Sequence, residues 1–223
     1  MKPHPLASYI DQTLLKPETS RGQIEKLCKE AIEYNFYAVC VNSRFVQVCK
    51  SALQGSSVKI ASVVGFPLGA CTTSTKVHEA ITAVRDGADE IDMVISLGAI
   101  KENDWRSVQD DILQVVRAIP NSVLKVIIET ALLTDDEKIK ACQACLEAGA
   151  HFVKTSTGFN GGGATVEDLV LMKKVVGDRA ELKASGGIKD LATANKMIAA
   201  GATRLGTSTG VLLVTGQNIQ GGY

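Results

Sequence analysis

The chain alternates amphipathic stretches with short apolar runs, and the first amphipathic stretch shows the pattern clearly. It begins at Ser20, which can form a capping box with Gln23, and Asn35 can supply a left-handed stop. Apolar residues between these points recur at the three- and four-residue spacing of one helix face. They are Ile24, Leu27, Cys28, Ala31 and Ile32. A run rich in strand formers, residues 36–41, follows, so the pattern predicts a helix and then a strand.

The same order of helix and strand recurs along the rest of the chain. Three junctions are alike, each a glycine helix stop followed by alanine and then a strand: Gly87-Ala88-Asp89, Gly149-Ala150-His151 and Gly201-Ala202-Thr203. A second capping box is predicted at Thr134 and Glu137. Eight strands are predicted in all, at 9–13, 36–41, 59–64, 90–95, 124–129, 152–155, 182–185 and 204–207.

Strands that alternate with helices pair in parallel through right-handed crossovers. Eight such units predict an α/β fold, a (β/α)8 TIM barrel. We expect one domain over residues 1–223, with a short N-terminal extension and a mobile C-terminal tail. The alternative is an open doubly wound sheet. The first βα turn lacks G-x-G-x-x-G, and no G-x-x-x-x-G-K-[ST] occurs, which favours the barrel.

Composition and charge narrow the function classes. Lys plus Arg and Asp plus Glu both number 24, so the formal net charge is +0, without the basic excess of a nucleic-acid binder. The 45% hydrophobic content argues against disorder. No uncharged apolar run approaches the roughly 18 residues of a membrane helix. The start of the chain lacks the apolar region of a signal peptide. We expect a cytoplasmic protein with neither nucleic acid nor a membrane as partner.

Cysteine and histidine spacing gives no sign of a metal site. Cys142 and Cys145 form a C-x-x-C pair in a helical stretch without a second pair of ligands, whereas zinc takes four. Core packing is therefore favoured over a metal or redox role. His4, His78 and His151 have no ligand-spaced partner, which disfavours metal-dependent aldol chemistry. We expect no metal and no cofactor.

Two lysines interrupt apolar strands, where an ammonium group is costly to bury. Lys154 follows Phe152-Val153, and Lys183 lies at the same height in the next predicted strand. Each side chain can simply reach solvent from a strand end. Alternatively, the two amines approach each other in the barrel, so that one pKa falls. A nearly neutral lysine is a nucleophile suited to forming a Schiff base.

Two aspartates belong to the same group of candidates. Asp92 lies between Ile91 and Met93, and strand alternation places it on the opposite face from both. It is either an ion-pair partner of a lysine or a proton-transfer group, and both roles can hold together. Asp11, near the end of the first predicted strand, can orient a substrate hydroxyl or cap the segment that follows.

Glycine clusters mark a candidate phosphate site. Gly186 and Gly187 follow the seventh predicted strand, and a second cluster, 206–210, follows the eighth. In TIM barrels the loops after these two strands, with a short helix N-terminus, commonly bind phosphate through backbone N–H groups. The alternative is that these are ordinary turn glycines. The 161–163 glycine run can be only a flexible start to the next helix.

Together these segments resemble the deoxyribose-phosphate aldolase family, in its shorter bacterial form. The resemblance runs from about Tyr9 to Gly210, and the two lysine segments are its most specific part. The segments that carry it are Ile10-Asp11-Gln12-Thr13-Leu14-Leu15-Lys16-Pro17, Glu90-Ile91-Asp92-Met93-Val94-Ile95, Phe152-Val153-Lys154-Thr155-Ser156-Thr157-Gly158-Phe159 and Lys183-Ala184-Ser185-Gly186-Gly187-Ile188.

The resemblance implies a class I aldolase that reversibly cleaves 2-deoxy-D-ribose 5-phosphate to acetaldehyde and D-glyceraldehyde 3-phosphate. It implies that Lys154 is the Schiff-base lysine, Lys183 the second lysine and Asp92 the proton-relay carboxylate. Cys40 matches a cysteine near the substrate in that family. The alternative, that Cys40 is simply a small residue of the core, is at least as well supported. The expected substrate-binding residues are Asp11, Cys40, Thr157, Gly186, Gly187, Gly206, Thr207 and Ser208.

The resemblance also bears on the partners and on the end of the chain. We expect a sugar phosphate and an aldehyde as partners, and a homodimer or homotetramer. Some relatives carry a C-terminal tyrosine that assists proton transfer; Tyr223 ends this chain, but the segment before it matches poorly. Two rival functions stay open: another phosphosugar barrel enzyme, and a non-catalytic barrel that binds a sugar phosphate.

Overall fold

Eight parallel strands close into a barrel, as the alternating pattern predicts. The computed structural model describes residues 4–216. The strands lie side by side in chain order, and the eighth pairs back onto the first. They are β1 (Ile10–Leu14), β2 (Ala38–Asn42), β3 (Lys59–Val64), β4 (Glu90–Val94), β5 (Val123–Ile127), β6 (Phe152–Lys154), β7 (Glu181–Ser185) and β8 (Arg204–Thr207).

Helices cover the outside of the barrel. In the described part of the chain they are α1 (Arg21–Glu33), α2 (Val46–Ala52), α3 (Thr73–Asp86), α4 (Leu97–Lys101), α5 (Trp105–Ala118), α6 (Asp135–Ala148), α7 (Val166–Val176), α8 (Leu191–Ala199) and α9 (Gly210–Thr215). Short 3-10 helices span Pro5–Tyr9, Ser43–Phe45 and Thr130–Leu132. Over residues 4–216, no helix has both the length and the apolarity needed to cross a membrane.

The predicted helix signals form the predicted caps. Ser20 with Gln23 and Thr134 with Glu137 both make complete capping boxes at the starts of α1 and α6. Asn35 takes the left-handed conformation after α1, with φ of 55°. The short helices α2 and α4 carry no such signal, and they were not predicted.

Several strand limits differ from the prediction by one or two residues. β2 begins at Ala38 rather than at 36, because the Phe36 N–H donates to the Ala31 carbonyl and closes the end of α1. β5 spans Val123–Ile127 rather than 124–129, because Glu129 adopts a left-handed conformation that no strand contains. β1 lies one residue later than predicted, which makes Asp11 its second residue rather than a residue near its end.

The apolar core lies between the barrel and the helices, and the barrel interior is largely polar. Ile91 and Met93 on β4 belong to the outer core, whereas Asp92 between them points inward to other charged groups. This alternation follows from the two-residue period of a strand. A small apolar cluster also lies apart from the main core. It comprises Leu15, Cys40, Ala61 and Val63, with Phe66 packed against it.

Candidate active site

A cavity of about 290 Å³ opens at the carboxyl ends of the strands, where TIM barrels place their active sites. The loops that follow β1, β6, β7 and β8 supply most of its wall. The lining residues are Thr13, Leu14, Leu15, Lys16, Lys154, Thr157, Gly158, Phe159, Ser185, Gly186, Gly187, Ile188, Lys189, Gly206, Thr207 and Ser208. Two lysines on this wall, Lys16 and Lys189, are exposed.

Three lysines converge on one buried aspartate. Lys154 and Lys183 are register partners on β6 and β7. Their Nζ atoms donate to the same oxygen of Asp92, Oδ2, at 2.7 and 2.8 Å. Lys125 on β5 donates to the other oxygen, Oδ1, at 2.8 Å. The two strand lysines therefore do approach each other inside the barrel, and neither simply extends to solvent.

The charges continue toward the opposite end of the barrel. Asp11 accepts from Lys183 at one oxygen and from Arg204, at 3.0 Å, at the other. Arg204 also pairs with Glu90 at 3.1 Å, and Glu90 pairs with Lys125 at 2.5 Å. We call this connected set the barrel ion network. Its seven members are Asp11, Glu90, Asp92, Lys125, Lys154, Lys183 and Arg204.

The balance of charges in the barrel ion network and the local pKa shifts indicate that Lys154 is the cation that loses its proton most easily. Three carboxylates face four cations, so the network is neutral when one cation loses its proton. Burial lowers the pKa of Lys154, and the neighbouring Lys183 ammonium lowers it further, against the opposing pull of Asp92. Burial also acts against the charge on Lys183, but Asp11 and Asp92 outweigh it and raise the pKa of Lys183.

Asp92 stays ionised at the centre of this arrangement. Burial by itself would raise the pKa of Asp92, but Lys125, Lys154 and Lys183 together hold it well below its ordinary value. Lys154 also lies on the cavity wall, whereas Lys183 and Asp92 lie fully buried behind it. The arrangement thus offers a substrate one amine of lowered pKa, backed by a fixed carboxylate and a fixed ammonium.

The glycine loops meet on the far side of the cavity. Gly186 takes a φ of 85°. It also lies so close to Gly163 that a Cβ added at residue 186 would come within 2.9 Å of the Gly163 Cα atom. Within residues 4–216, the amide N–H groups of Gly187, Ile188 and Ser208 have no hydrogen-bond acceptor. Such a group of unpaired amides on a cavity rim is a ready anion site.

Two details of the predicted phosphate site differ from the simple expectation. The hydroxyl of Thr207 donates to the Ile188 carbonyl at 2.8 Å, so this side chain fixes one glycine loop to the other. The amide of Gly210, the first residue of α9, donates to Gln12 Oε1 at 3.0 Å. The N-terminus of this short helix is thus already partly occupied, and the loop amides are the better placed donors.

Among the remaining predicted residues, Thr157 lies on the cavity wall and Asp11 and Cys40 do not. Thr157 donates both its N–H and its hydroxyl to the buried carboxylate of Glu129. Asp11 was expected to orient a substrate hydroxyl or to cap the next segment. Its carboxylate is fully buried and is engaged by Lys183 and Arg204, so it caps no following segment, and the contact with a substrate hydroxyl stays a prediction.

Cys40 and Tyr223 complete the predicted set. The Sγ of Cys40 lies 3.9 Å from Asp92 Oδ2, and burial raises the pKa of this thiol. The cysteine therefore borders the barrel ion network without reaching the cavity wall. Tyr223 lies outside the described residues. The described part of the chain contains no group of three His, Cys, Asp or Glu side chains arranged to hold a metal ion.

Four residues of this region were missed from the sequence. Lys125 interrupts an apolar strand just as Lys154 and Lys183 do, so the rule that found those two would have found it. Arg204 and Glu90 open their strands and resemble surface charges at strand starts. Glu129 carries no sequence signal, because its importance comes from a left-handed backbone and from partners about 30 residues away.

Comparisons with known proteins show the family of the chain. A family model described as DeoC/LacD family aldolase matches residues 6–219. A deoxyribose-phosphate aldolase of Bdellovibrio bacteriovorus is 59% identical over 218 residues, which cover 98% of this chain and 99% of that protein. One of Natranaerobius thermophilus is 58% identical over 212 residues, covering 95% of this chain and 96% of that protein.

Solved structures give the same result. An aldolase named QR15 superposes with a TM-score of 0.91 at 45% identity, covering 94% of each chain. A tetrameric deoxyribose phosphate aldolase from Aeropyrum pernix superposes with a TM-score of 0.88 at 32% identity, covering 94% of this chain and 89% of that one. On the family match across nearly its whole length and on these relatives, this chain belongs to the DeoC/LacD family of aldolases.

Proposed function

We propose that this protein is a class I aldolase that reversibly cleaves 2-deoxy-D-ribose 5-phosphate to acetaldehyde and D-glyceraldehyde 3-phosphate. The observation that carries the proposal is the amine of Lys154, which lies on the cavity wall with a lowered pKa beside the Lys183 ammonium. The relatives named above as deoxyribose-phosphate aldolases support the choice of substrate. The reaction would serve the catabolism of deoxyribonucleotides in the cytoplasm.

The amine of Lys154 starts the reaction. Unprotonated Nζ adds to the aldehyde carbon of the open-chain sugar phosphate, and loss of water gives a protonated imine. The C3 hydroxyl then loses its proton, and the C2–C3 bond breaks, with its electron pair moving into the imine. D-Glyceraldehyde 3-phosphate leaves, and the acetaldehyde enamine remains on Lys154. Protonation at C2 and addition of water release acetaldehyde and restore the amine.

Asp92 and Lys183 hold the protons for these steps. Lys183 keeps its ammonium because two carboxylates face it, and that charge helps to keep Lys154 unprotonated. Asp92 accepts from Lys154 and Lys183 at one oxygen, so a proton can pass between the two nitrogens through a single atom. Asp92 would move protons to and from the substrate through Lys183 or through a water molecule.

The glycine loops would bind the substrate phosphate. The unpaired amides of Gly187, Ile188 and Ser208 can donate to phosphate oxygens, and Gly206 allows the close approach. Lys16 lies on the same wall and adds positive charge that attracts a phosphate dianion. A phosphate fixed here positions the aldehyde end at Lys154.

The scheme requires neither a metal nor an organic cofactor, because the protonated imine itself is the electron sink. Asp11 takes a positioning role in it, as the residue that holds Lys183 from behind. The Lys183 and Arg204 contacts of that carboxylate support this positioning role.

Reduction with borohydride in the presence of acetaldehyde tests the proposal directly. We expect one added ethyl group per chain, mapped by peptide mass spectrometry to Lys154. The Lys154→Met variant, which is uncharged like the free amine but cannot form the imine, is the matched control and should stay unmodified. An adduct on another lysine, or none on the wild type, would overturn the proposal.

A coupled assay for D-glyceraldehyde 3-phosphate separates the rival functions. The proposed aldolase releases this product from 2-deoxy-D-ribose 5-phosphate. Another phosphosugar barrel enzyme would bind a sugar phosphate but release no D-glyceraldehyde 3-phosphate from this substrate. A non-catalytic barrel would also release none, and in addition it would form no imine. The same preparation can be checked by light scattering for the homodimer or homotetramer that we expect, an expectation supported by the tetrameric relative from Aeropyrum pernix.

A further inference from the structure

Ser185 lies on the cavity wall and carries a buried hydroxyl without a hydrogen-bond partner in the described part of the chain. The residue is 5% exposed, and it lines the cavity together with Lys154. Within residues 4–216, its Oγ has no hydrogen-bond partner. Native proteins leave few buried polar groups in this condition, and each calls for an explanation. The reason that fits a group on a cavity wall is a ligand that supplies the missing partner.

The surrounding backbone holds this hydroxyl in a defined place. The N–H of Ser185 donates to Thr155 Oγ1 at 3.1 Å, and the same Oγ1 donates to the Ser185 carbonyl at 3.2 Å. Gly206, the register partner of Ser185 on β8, leaves space for the hydroxyl, because a Cβ at 206 would collide with Ser185 Oγ. The neighbouring strands thus fix the residue and keep room around it.

Two other buried hydroxyls lack a partner in the described part of the chain, but they lie elsewhere. These are Thr130 Oγ1 and Ser156 Oγ, and neither residue lines the cavity. Ser156 is therefore a natural control for Ser185, since the two share residue type and burial and differ in access to the cavity.

We infer that Ser185 binds the C4 hydroxyl of the sugar phosphate and thereby selects acceptor aldehydes that carry a hydroxyl next to the carbonyl. This inference rests on the proposed function. Ser185 lies two residues beyond Lys183, the register partner of Lys154, and directly before Gly186 of the phosphate loops. It therefore stands between the amine and the phosphate-binding amides, where the substrate carries its C3 and C4 hydroxyls.

The chemistry of the two substrate hydroxyls decides between them. The C3 hydroxyl must give up its proton when the C2–C3 bond breaks, so it needs a base. Ser185 is hydrogen-bonded to no carboxylate or other base within residues 4–216, so it cannot pass a proton on. The C4 hydroxyl keeps its proton throughout the reaction, and a neutral hydroxyl suits it as both donor and acceptor. Ser185 is thus a binding residue rather than a proton-transfer residue.

Ser185→Ala can be tested in the addition direction, with acetaldehyde and two acceptors. D-Glyceraldehyde 3-phosphate carries the hydroxyl in question, and 3-oxopropyl phosphate lacks it. We expect the variant to lose about tenfold in kcat/KM with the first acceptor, the value of one neutral hydrogen bond, and to change by less than about twofold with the second. The addition direction is chosen because the C4 hydroxyl of the sugar closes a ring in solution.

Controls separate this inference from the proposed function. Ser156→Ala should leave both acceptors unaffected, and Ser185→Ala should melt no lower than the wild type, since it removes an unpartnered buried hydroxyl. Borohydride trapping of acetaldehyde on Lys154 should be equal in the wild type and Ser185→Ala; failure in the wild type would reject the aldolase itself. With trapping intact, an equal loss for both acceptors, or no loss for either, would overturn the role of Ser185.

Discussion

Replacing Lys183 by methionine removes the charge that lies beside Lys154. The two Nζ atoms lie 2.7 and 2.8 Å from one Asp92 oxygen, so at most about 5.5 Å separates them. At an effective dielectric constant of about 20, two charges at this distance repel by roughly 3 kcal/mol, equivalent to about 2 pKa units. The pKa of Lys154 should rise by at least this much, because Asp11 and Asp92 also lose a cation in Lys183→Met.

The pH dependence of imine formation measures this change. The rate at which acetaldehyde becomes trappable by borohydride on Lys154 follows the unprotonated fraction of the amine. In Lys183→Met we expect the midpoint of that profile to move up by about 2 pH units, with the rate below both midpoints falling by about 100-fold and recovering toward high pH. The cleavage rate of 2-deoxy-D-ribose 5-phosphate should fall at least as far.

Lys183→Arg is the matched control, because it keeps the positive charge. Its rate of cleavage can fall because the arginine side chain is larger. The midpoint of its pH profile for imine formation should nevertheless stay near that of the wild type. Thermal melting of both variants checks that the barrel is intact. An unchanged midpoint in Lys183→Met, or the same shift in Lys183→Arg, would refute the argument that one ammonium lowers the pKa of the other.

Two further predictions concern Lys125 in the barrel ion network and Glu129, the hydrogen-bond partner of Thr157 on the cavity wall. Lys125→Met leaves Glu90 and Asp92 without their shared cation, so the free energy of unfolding should fall by about 3–5 kcal/mol in denaturant titrations. The pKa of Lys125 is raised in the folded state, so this stabilisation is full below the ordinary lysine pKa of about 10.4 and disappears only at higher pH. A fall in the unfolding free energy of less than about 1 kcal/mol in Lys125→Met would contradict the prediction. Glu129→Ala removes the acceptor of three hydrogen bonds around Thr157, so the KM for the sugar phosphate should rise about tenfold while acetaldehyde trapping persists. Equal losses in both assays would contradict that reading.

Most of the fold could be predicted because helices and strands repeat one local pattern. The capping boxes, the glycine stops and the two-residue alternation are local signals, and they located all eight strands of the barrel. The errors occurred where a contact outside the element decides its limit. Residues 36 and 37 have the composition of a strand, but the Phe36 N–H closes the preceding helix instead.

The candidate site could be predicted only where a residue is unusual in its own segment. Lys154 and Lys183 interrupt apolar strands, and their equal heights predicted the close approach that the register confirms. The contact of Asp11 with Arg204 joins residues 193 apart in sequence, and it exists only because β8 pairs with β1. Ser185 is ordinary in its segment, and its unpartnered hydroxyl is visible only once the neighbouring strands are in place.

The barrel ion network limits how this scaffold can be redesigned. Its seven members share partners, so exchanging a member other than Lys154 for a neutral side chain leaves at least one opposite charge in the interior with one partner fewer. Libraries aimed at new reactions would therefore have to vary these positions in compensating pairs, such as Glu90 with Lys125. The loops after β6, β7 and β8 shape much of the substrate cavity but hold no member of the network, since Lys154 is the last residue of β6 itself. New substrate preference can thus be sought in those loops without disturbing the charge balance that prepares the nucleophile.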